Sequence, residues 1–184
     1  MKPRAKVIAV FGSAQLRTDE PRYAQARELG SALAAKGFVV CSGGYGGVME
    51  AVSRGAKEAG GRTLGVTVQF FRAATNPWVD EEIRVKTWKE RLFELIKRGH
   101  GYVACPGGTG TLVELAVVWE MLNKGAMRKR PLVALSDFWQ PVIECMGGIE
   151  PVIHTASSPA NAAAYLATYF KPLRDEPKLP PLCP

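Results

Sequence analysis

The chain has 184 residues, 47% of them hydrophobic and 22% charged. That length suits one domain, and the composition argues against wholesale disorder, collagen-like repetition or a core that needs disulfide or metal staples. The net charge of +7 raises three readings: a nucleic-acid partner, a phosphorylated small ligand, or plain surface solvation.

In chain order, Val7–Phe11 is the first strand candidate, and Gly12 and Ser13 end it. Pro21–Lys36 reads as a helix with Tyr23, Ala26, Leu33 and Ala34 on one face, capped by Thr18 or Asp19. Phe38–Cys41 is the second strand. Gly47–Ala59 is a helix with Val48, Ala51, Val52 and Gly55 on one side, and Thr63–Val68 is the third strand. Residues 69–81 form an irregular excursion around Asn76-Pro77-Trp78, and Glu82–Lys86 adds a short strand. Thr87–Arg98 is an amphipathic helix with Trp88, Leu92, Leu95 and Ile96 on its apolar side. Tyr102–Cys105 is a strand, Thr109–Asn123 a helix carrying Leu112, Leu115, Ala116 and Leu122, and Leu132–Leu135 a strand. Phe138–Met146 is a short helix, and Ser158-Pro159 opens a last one that runs to about Phe170. Five of the fourteen residues from Lys171 are proline, so 1–170 is expected to be the domain and 171–184 an extended tail.

Strand followed by helix, repeated with short connections, implies parallel strands and right-handed crossovers. The expected fold is α/β, a single Rossmann-like doubly wound sheet with helices on both faces. Ligands of such sheets bind beyond the C-terminal ends of the strands.

Three of those ends are rich in glycine or small residues: Gly12-Ser13-Ala14, Ser42-Gly43-Gly44-Tyr45-Gly46-Gly47 and Pro106-Gly107-Gly108-Thr109-Gly110-Thr111. Each feeds a helix N-terminus, where free N–H groups favour an anion. Ser13, Gly43, Gly44, Gly46 and Gly47, with Gly107, Gly108, Thr109, Gly110 and Thr111, are the candidate phosphate contacts. The plain alternative is that the glycines only make tight turns. No lysine precedes a Ser or Thr after these glycines, so neither loop is a Walker loop. The first strand is not followed by Gly-x-Gly-x-x-Gly.

Glu114 lies one turn into the helix after the third loop. It either complements the helix dipole or faces positive charge developing on a reacting group. Arg91, fifteen residues before Pro106, is its candidate counterpart; the alternative is a solvent-exposed arginine within Lys89-Glu90-Arg91.

Pro106–Glu114 matches without a gap the Pro-Gly-Gly-x-Gly-Thr-x-x-Glu motif of the family long labelled "possible lysine decarboxylase". Its characterised members are the LOG proteins, named after the plant Lonely Guy enzymes. Ser42–Met49 resembles that family's Gly-x-Met loop, with Glu50-Ala51 as in its Met-Glu-Ala variant, and Phe11-Gly12-Ser13 resembles its first-strand turn. The likeness runs from about residue 6 to 145. It implies hydrolysis of the N-glycosidic bond of a nucleoside 5′-monophosphate, AMP or a cytokinin-type N6-modified AMP, to free base and ribose 5-phosphate. Arg91 and Glu114 would be the catalytic pair, with Glu114 ionised. The glycine loops and Glu50 would hold substrate, with no metal or organic cofactor. Leu92 stands where the family has a lysine after the arginine, and Val113 where many members have a second glutamate. A true lysine decarboxylase would need a Schiff-base lysine for pyridoxal phosphate, and no lysine lies in or beside the loops. The rival reading is a nucleotide or phosphorylated-cofactor carrier of the same fold that does not hydrolyse its ligand.

Partners and compartment follow more loosely. Five apolar residues at Val7–Phe11 are too few for a signal core, and no run reaches the ~18 of a membrane span. Cys41, Cys105, Cys145 and Cys183 form no CxxC pair, and Cys41 and Cys105 read as reduced, buried thiols. His100 and His154 lack metal-ligand spacing. A cytoplasmic protein bound to neither metal nor membrane is expected. Residues 1–92 hold 15 basic and nine acidic groups, scattered rather than clustered, so no nucleic-acid partner is expected. Lys124, Arg128, Lys129 and Arg130 read as a solvated helix end. The apolar residues Val117, Val118, Trp119 and Met121 exceed what one sheet contact needs, so a homodimer or higher homo-oligomer is expected.

Overall fold

Strands of a parallel sheet covered on both faces have no polar side, so they read as continuous apolar runs. Val7–Phe11, Leu132–Leu135 and Thr63–Val68 are of this kind, and all six residues of the last are buried. The computed structural model describes residues 5–146 and 152–171. In order, the elements are β1 (Val7–Phe11), α1 (Pro21–Ala35), β2 (Val39–Ser42), α2 (Val48–Glu58), β3 (Thr63–Val68), β4 (Glu81–Val85), α3 (Trp88–Arg98), β5 (Gly101–Ala104), α4 (Thr109–Asn123), β6 (Leu132–Leu135), a 3₁₀ turn at Asp137–Trp139, α5 (Gln140–Met146), β7 (Ile153–Ala156) and α6 (Pro159–Tyr169).

The seven strands form one parallel sheet in the order β4-β3-β2-β1-β5-β6-β7. Ala9 of β1 pairs with Cys41 of β2 on one side and Tyr102 of β5 on the other. The chain therefore winds outward from β1 in one direction to β4, returns through α3, and winds the other way from β5. The switch point falls between β1 and β5. Alternation along each strand divides the core. Ile8, Val10, Val40 and Val103 face α1, α2 and α6. Ala9, Phe11, Tyr102 and Ala104 face α3, α4 and Trp139 of the 3₁₀ turn. The doubly wound expectation holds, with helices on both faces.

Several details differ from the sequence reading. β7 was not expected: it is four residues long, and His154 and Thr155 within it are exposed, so it lacks an apolar run. The N-cap of α1 is Glu20, not Thr18 or Asp19, and its side chain turns back to accept the Arg17 backbone N–H at 2.9 Å. α2 starts at Val48 because Gly47, at φ +65°, has a conformation that no helix residue adopts. Arg130 is only half-exposed rather than freely solvated. It donates to the carbonyls of Ile96 and Gly99 and to the Tyr102 hydroxyl, tying the basic turn to the end of α3. Cys41 and Cys105 are buried free thiols, and burial pushes both up to about 12. Among the described residues no helix is long and apolar enough to cross a membrane. The expected tail beyond Lys171, with Cys183, lies outside the described residues.

α1 and α2 pack backbone to backbone through two glycines. A Cβ at Gly30 would collide with the Val52 carbonyl, and one at Gly55 with the Arg27 carbonyl. Helix propensity favours alanine by about 1 kcal/mol, but a backbone clash cannot relax by rotamer change. Gly55→Ala is expected to lower the thermal unfolding midpoint by about 3–10 °C, measured by circular dichroism.

Candidate active site

A cleft of about 460 Å³ opens at the switch point. The loop after β1 (Gly12–Gln15) forms one wall and the start of α4 (Gly108–Thr111 and Glu114) another. Gly43, Tyr45 and Met49 from the β2–α2 segment, Phe71 from the loop after β3, and Trp88 and Arg91 from α3 complete it. Of the sequence candidates, Ser13, Gly43, Arg91, Gly108, Thr109, Gly110, Thr111 and Glu114 meet here. Gly44, Gly46, Gly47, Gly107 and Glu50 are not among the lining residues.

The two long glycine loops, expected to be alike, play different parts. α4 has Gly108 as its N-cap and no capping side chain, so its first N–H groups face the cleft uncapped. Gly108, Thr109 and Gly110 are exposed, and the space where a Cβ would stand at Gly108 or Gly110 is open. α2 is closed off instead. Its Val48 N–H donates to the Ser13 carbonyl at 2.8 Å, and Gly47 lies against Ser13 and Ala14. This loop braces the β1 loop. Glu50 points away and accepts the Tyr23 hydroxyl at 3.1 Å.

Arg91 is only 9% exposed, which excludes the solvent-exposed alternative. Nε donates to the Val66 carbonyl at 2.9 Å, and Nη2 donates to the Gly43 carbonyl at 3.1 Å and to Met49 Sδ at 3.6 Å. The guanidinium lies 5.5 Å from the Tyr45 ring centre. A Cβ at Gly43 would occupy the place of Arg91 Nη2, so the glycine is required there by the arginine rather than by a turn.

Nη1 points to Glu114, 4.0 Å from Oε1. The Glu114 side chain is 14% exposed. Burial pushes its carboxyl up from 4.5 to about 7, against the pull of Arg91. The sequence reading took Glu114 as ionised; in the folded chain its ionised and protonated forms are comparable near neutral pH. Leu92, at the place of the family's lysine, is buried in the core rather than lining the cleft. No lysine lines the cleft, and among the described residues no group of three or more His, Cys, Asp or Glu could hold a metal ion.

Tyr45, Met49, Phe71 and Trp88 were not anticipated as site residues. Trp88 was placed on the buried side of its helix, yet it is 46% exposed. It shares a stripe with Arg91, Leu92 and Leu95 at the i, i+3, i+4 and i+7 spacing. That stripe runs off the end of the core into the cleft, so a helix-face reading centred on Arg91 could have found it.

A doubly wound sheet with an uncapped helix start and a buried Arg–Glu pair at its switch point defines a Rossmann-like protein. The chain belongs to the SLOG cluster4 family, which it matches over residues 5–163. It is 37% identical over 114 residues to a Mycobacterium marinum protein named cytokinin riboside 5′-monophosphate phosphoribohydrolase, a match covering 60% of each chain. It is 31% identical over 123 residues to the Escherichia coli K12 pyrimidine/purine nucleotide 5′-monophosphate nucleosidase, covering 62% of this chain but only 27% of that protein. Among solved structures, the molybdenum cofactor binding protein of Rippkaea orientalis superposes with a TM-score of 0.78 at 27% identity, over 92% of this chain and 99% of the other.

The raised Glu114 carboxyl has a consequence for stability. The folded chain holds that proton more tightly than the unfolded chain, so stability falls as pH rises from about 4.5 to 7, and the loss is complete above. Glu114→Gln removes the penalty. Whatever the lost carboxylate costs Arg91, the stability of wild type relative to the variant is expected to fall by up to about 3 kcal/mol between pH 4 and pH 8, read from urea unfolding at both values.

Proposed function

We propose that the chain hydrolyses the N-glycosidic bond of a nucleoside 5′-monophosphate, AMP or an N6-modified AMP, releasing the base and ribose 5-phosphate. The observation that carries this reading is the buried Glu114 carboxyl beside Arg91, raised to about 7. A half-ionised carboxylate inside an anion-binding cleft is a cost to a protein that only holds its ligand. To a hydrolase it is a base matched to neutral pH.

The geometry supports the following roles. The uncapped start of α4 receives the 5′-phosphate. Water attacks the anomeric carbon as the carbon–nitrogen bond breaks, and its electron pair leaves with the base. The ionised form of Glu114 stabilises the oxocarbenium-like transition state and takes the water's proton, which ends on the departing base or in solvent. Arg91, held by the Val66 and Gly43 carbonyls, cannot swing away, so it fixes the carboxylate and the ribose hydroxyls without moving a proton. No metal is required for any of these steps.

A carrier that binds a nucleotide or phosphorylated cofactor without cleaving it is the second reading, favoured by the fold shared with the Rippkaea protein. An apolar groove of about 320 Å³ beside α4 and α5, lined by Leu112, Ala116, Trp119, Val142 and Met146, supports the pairing of two copies. Light scattering of the purified chain tests that pairing.

Incubation with AMP, CMP, GMP, UMP and N6-modified AMP is expected to release free base. Glu114→Gln is expected to lower turnover about 10²–10³-fold. The wild-type rate should rise with pH through about 7 and lose that limb in the variant. Equal base release by the two proteins would exclude Glu114 from the reaction, and nucleotide binding with no base release would select the carrier.

A further inference from the structure

Arg91 stops short of Glu114. A guanidinium and a carboxylate that are free to meet close to about 2.7–2.9 Å. Here Nη1 stands 4.0 Å from Oε1, although both side chains are largely shielded from water. The other nitrogens hold the guanidinium back. Nε is spent on the Val66 carbonyl at 2.9 Å and Nη2 on the Gly43 carbonyl at 3.1 Å. Val66 is fixed within β3 by its pairing with β4. Gly43 lies past the end of β2, so its carbonyl needs another support.

Asn76 supplies that support from outside the cleft. It is 8% exposed and is not among the lining residues. Its backbone N–H donates to the Gly44 carbonyl at 2.9 Å, and its Nδ2 donates to the Tyr45 carbonyl at 2.9 Å. Oδ1 accepts the Trp78 N–H at 3.1 Å. A carbonyl only accepts and a backbone N–H only donates, so these two partners fix which way the amide faces. The segment around Asn76 is anchored in turn. Thr75 Oγ1 donates to Glu82 of β4 at 2.6 Å, and Thr63 Oγ1 of β3 donates to the Trp78 carbonyl at 2.7 Å. Tyr45 extends the grip to Arg91: its hydroxyl accepts the Val68 N–H at 2.9 Å, and its ring centre lies 5.5 Å from the guanidinium.

We propose that Asn76 is a positioning residue for the Arg91–Glu114 pair: by gripping Gly44 and Tyr45 it keeps the Gly43 carbonyl on Arg91, and so keeps the guanidinium from closing onto the carboxylate. Among the described residues that line the cleft, Arg91 and Glu114 are the charged groups and Tyr45 is the remaining titratable one. The place of Arg91 is therefore what tunes Glu114. A closed pair would favour the ionised carboxylate and make it a weaker base. The consequence for turnover rests on the hydrolase reading above, whereas the spacing of the pair does not.

The test reads the ionisation of Glu114 directly, by carbon-13 NMR of the side-chain carboxyl signal that Glu114→Gln removes. In the wild type the midpoint is expected at about 7. Asn76→Ala removes the whole amide. Asn76→Ser keeps an oxygen for the Trp78 N–H and removes the donor to Tyr45. Each variant is expected to lower the midpoint by about one pH unit, the low end of what an opposite charge in contact does. The rising limb of base release should move down with it, and the rate at pH 8 should fall several-fold. A purely structural role would weaken the fold against urea and leave the Glu114 midpoint in place. That result, or an upward shift, overturns the proposal. So does failure of both variants to fold, which assigns the amide to stability. Absence of base release by the wild type removes the hydrolase and leaves the NMR midpoint to decide the role of Asn76. A lowered midpoint with an unmoved rate limb keeps the role of Asn76 and excludes Glu114 as the base.

Discussion

A guanidinium is costly to remove from water unless its donors find acceptors and its charge finds a partner. Arg91 meets both conditions only because three separate segments converge on it: the Val66 carbonyl from β3, the Gly43 carbonyl from the loop after β2, and the Glu114 carboxylate from α4. The rest of the site is arranged around this requirement. Gly43 lacks a side chain because Arg91 Nη2 occupies its place. Tyr45 places its ring centre 5.5 Å from the guanidinium and is held by Val68. Glu114 sits deep enough to answer the charge, and that depth lifts its carboxyl toward neutrality. The same burial that shields the pair from solvent thus sets the pH at which the carboxylate ionises.

The sheet makes this convergence possible. β1 lies between β2 and β5, so loops from opposite windings face each other across one gap. α3 is the crossover that carries the chain back over the sheet from β4 to β5, and Arg91 rides on it. Trp88, one turn earlier, reaches the same gap from the far side. A doubly wound topology thereby separates the cleft into an end formed by the uncapped start of α4 and an aromatic end beyond β3 and β4, with the Arg–Glu pair lining it as well.

Much of the fold was legible because parallel strands buried on both faces must be apolar throughout, and their helices must show a 3.6-residue stripe. β1, β3, β6 and α4 start and stop at the residues expected for them. β7 was invisible because an edge strand of four residues needs no apolar run. The α1 cap was misjudged because a local side-chain contact, Glu20 with Arg17, prevailed over the usual capping preference. Among the cleft residues, the nine-residue run Pro106–Glu114 marked the open loop before α4 and the carboxylate. The glycines of the β2 loop gave the same local signal as those before α4, yet Gly44, Gly46 and Gly47 stand outside the cleft lining, because a glycine needed for chain packing and one left open to a ligand read alike in sequence.

By itself, the sequence determined the order of elements, the doubly wound class, and the membership of Arg91 and Glu114 in a family motif, since each depends on local spacing or on a contiguous string of residues. Tertiary structure alone decided which glycine loop stays open, that Arg91 is buried, that Glu114 is poised near neutral pH, and that Phe71 and Trp88 face the same cleft. Those properties arise from groups far apart in the chain. Desolvation and charge pairing act through space, and no local pattern records how much water a side chain loses when the segments close around it.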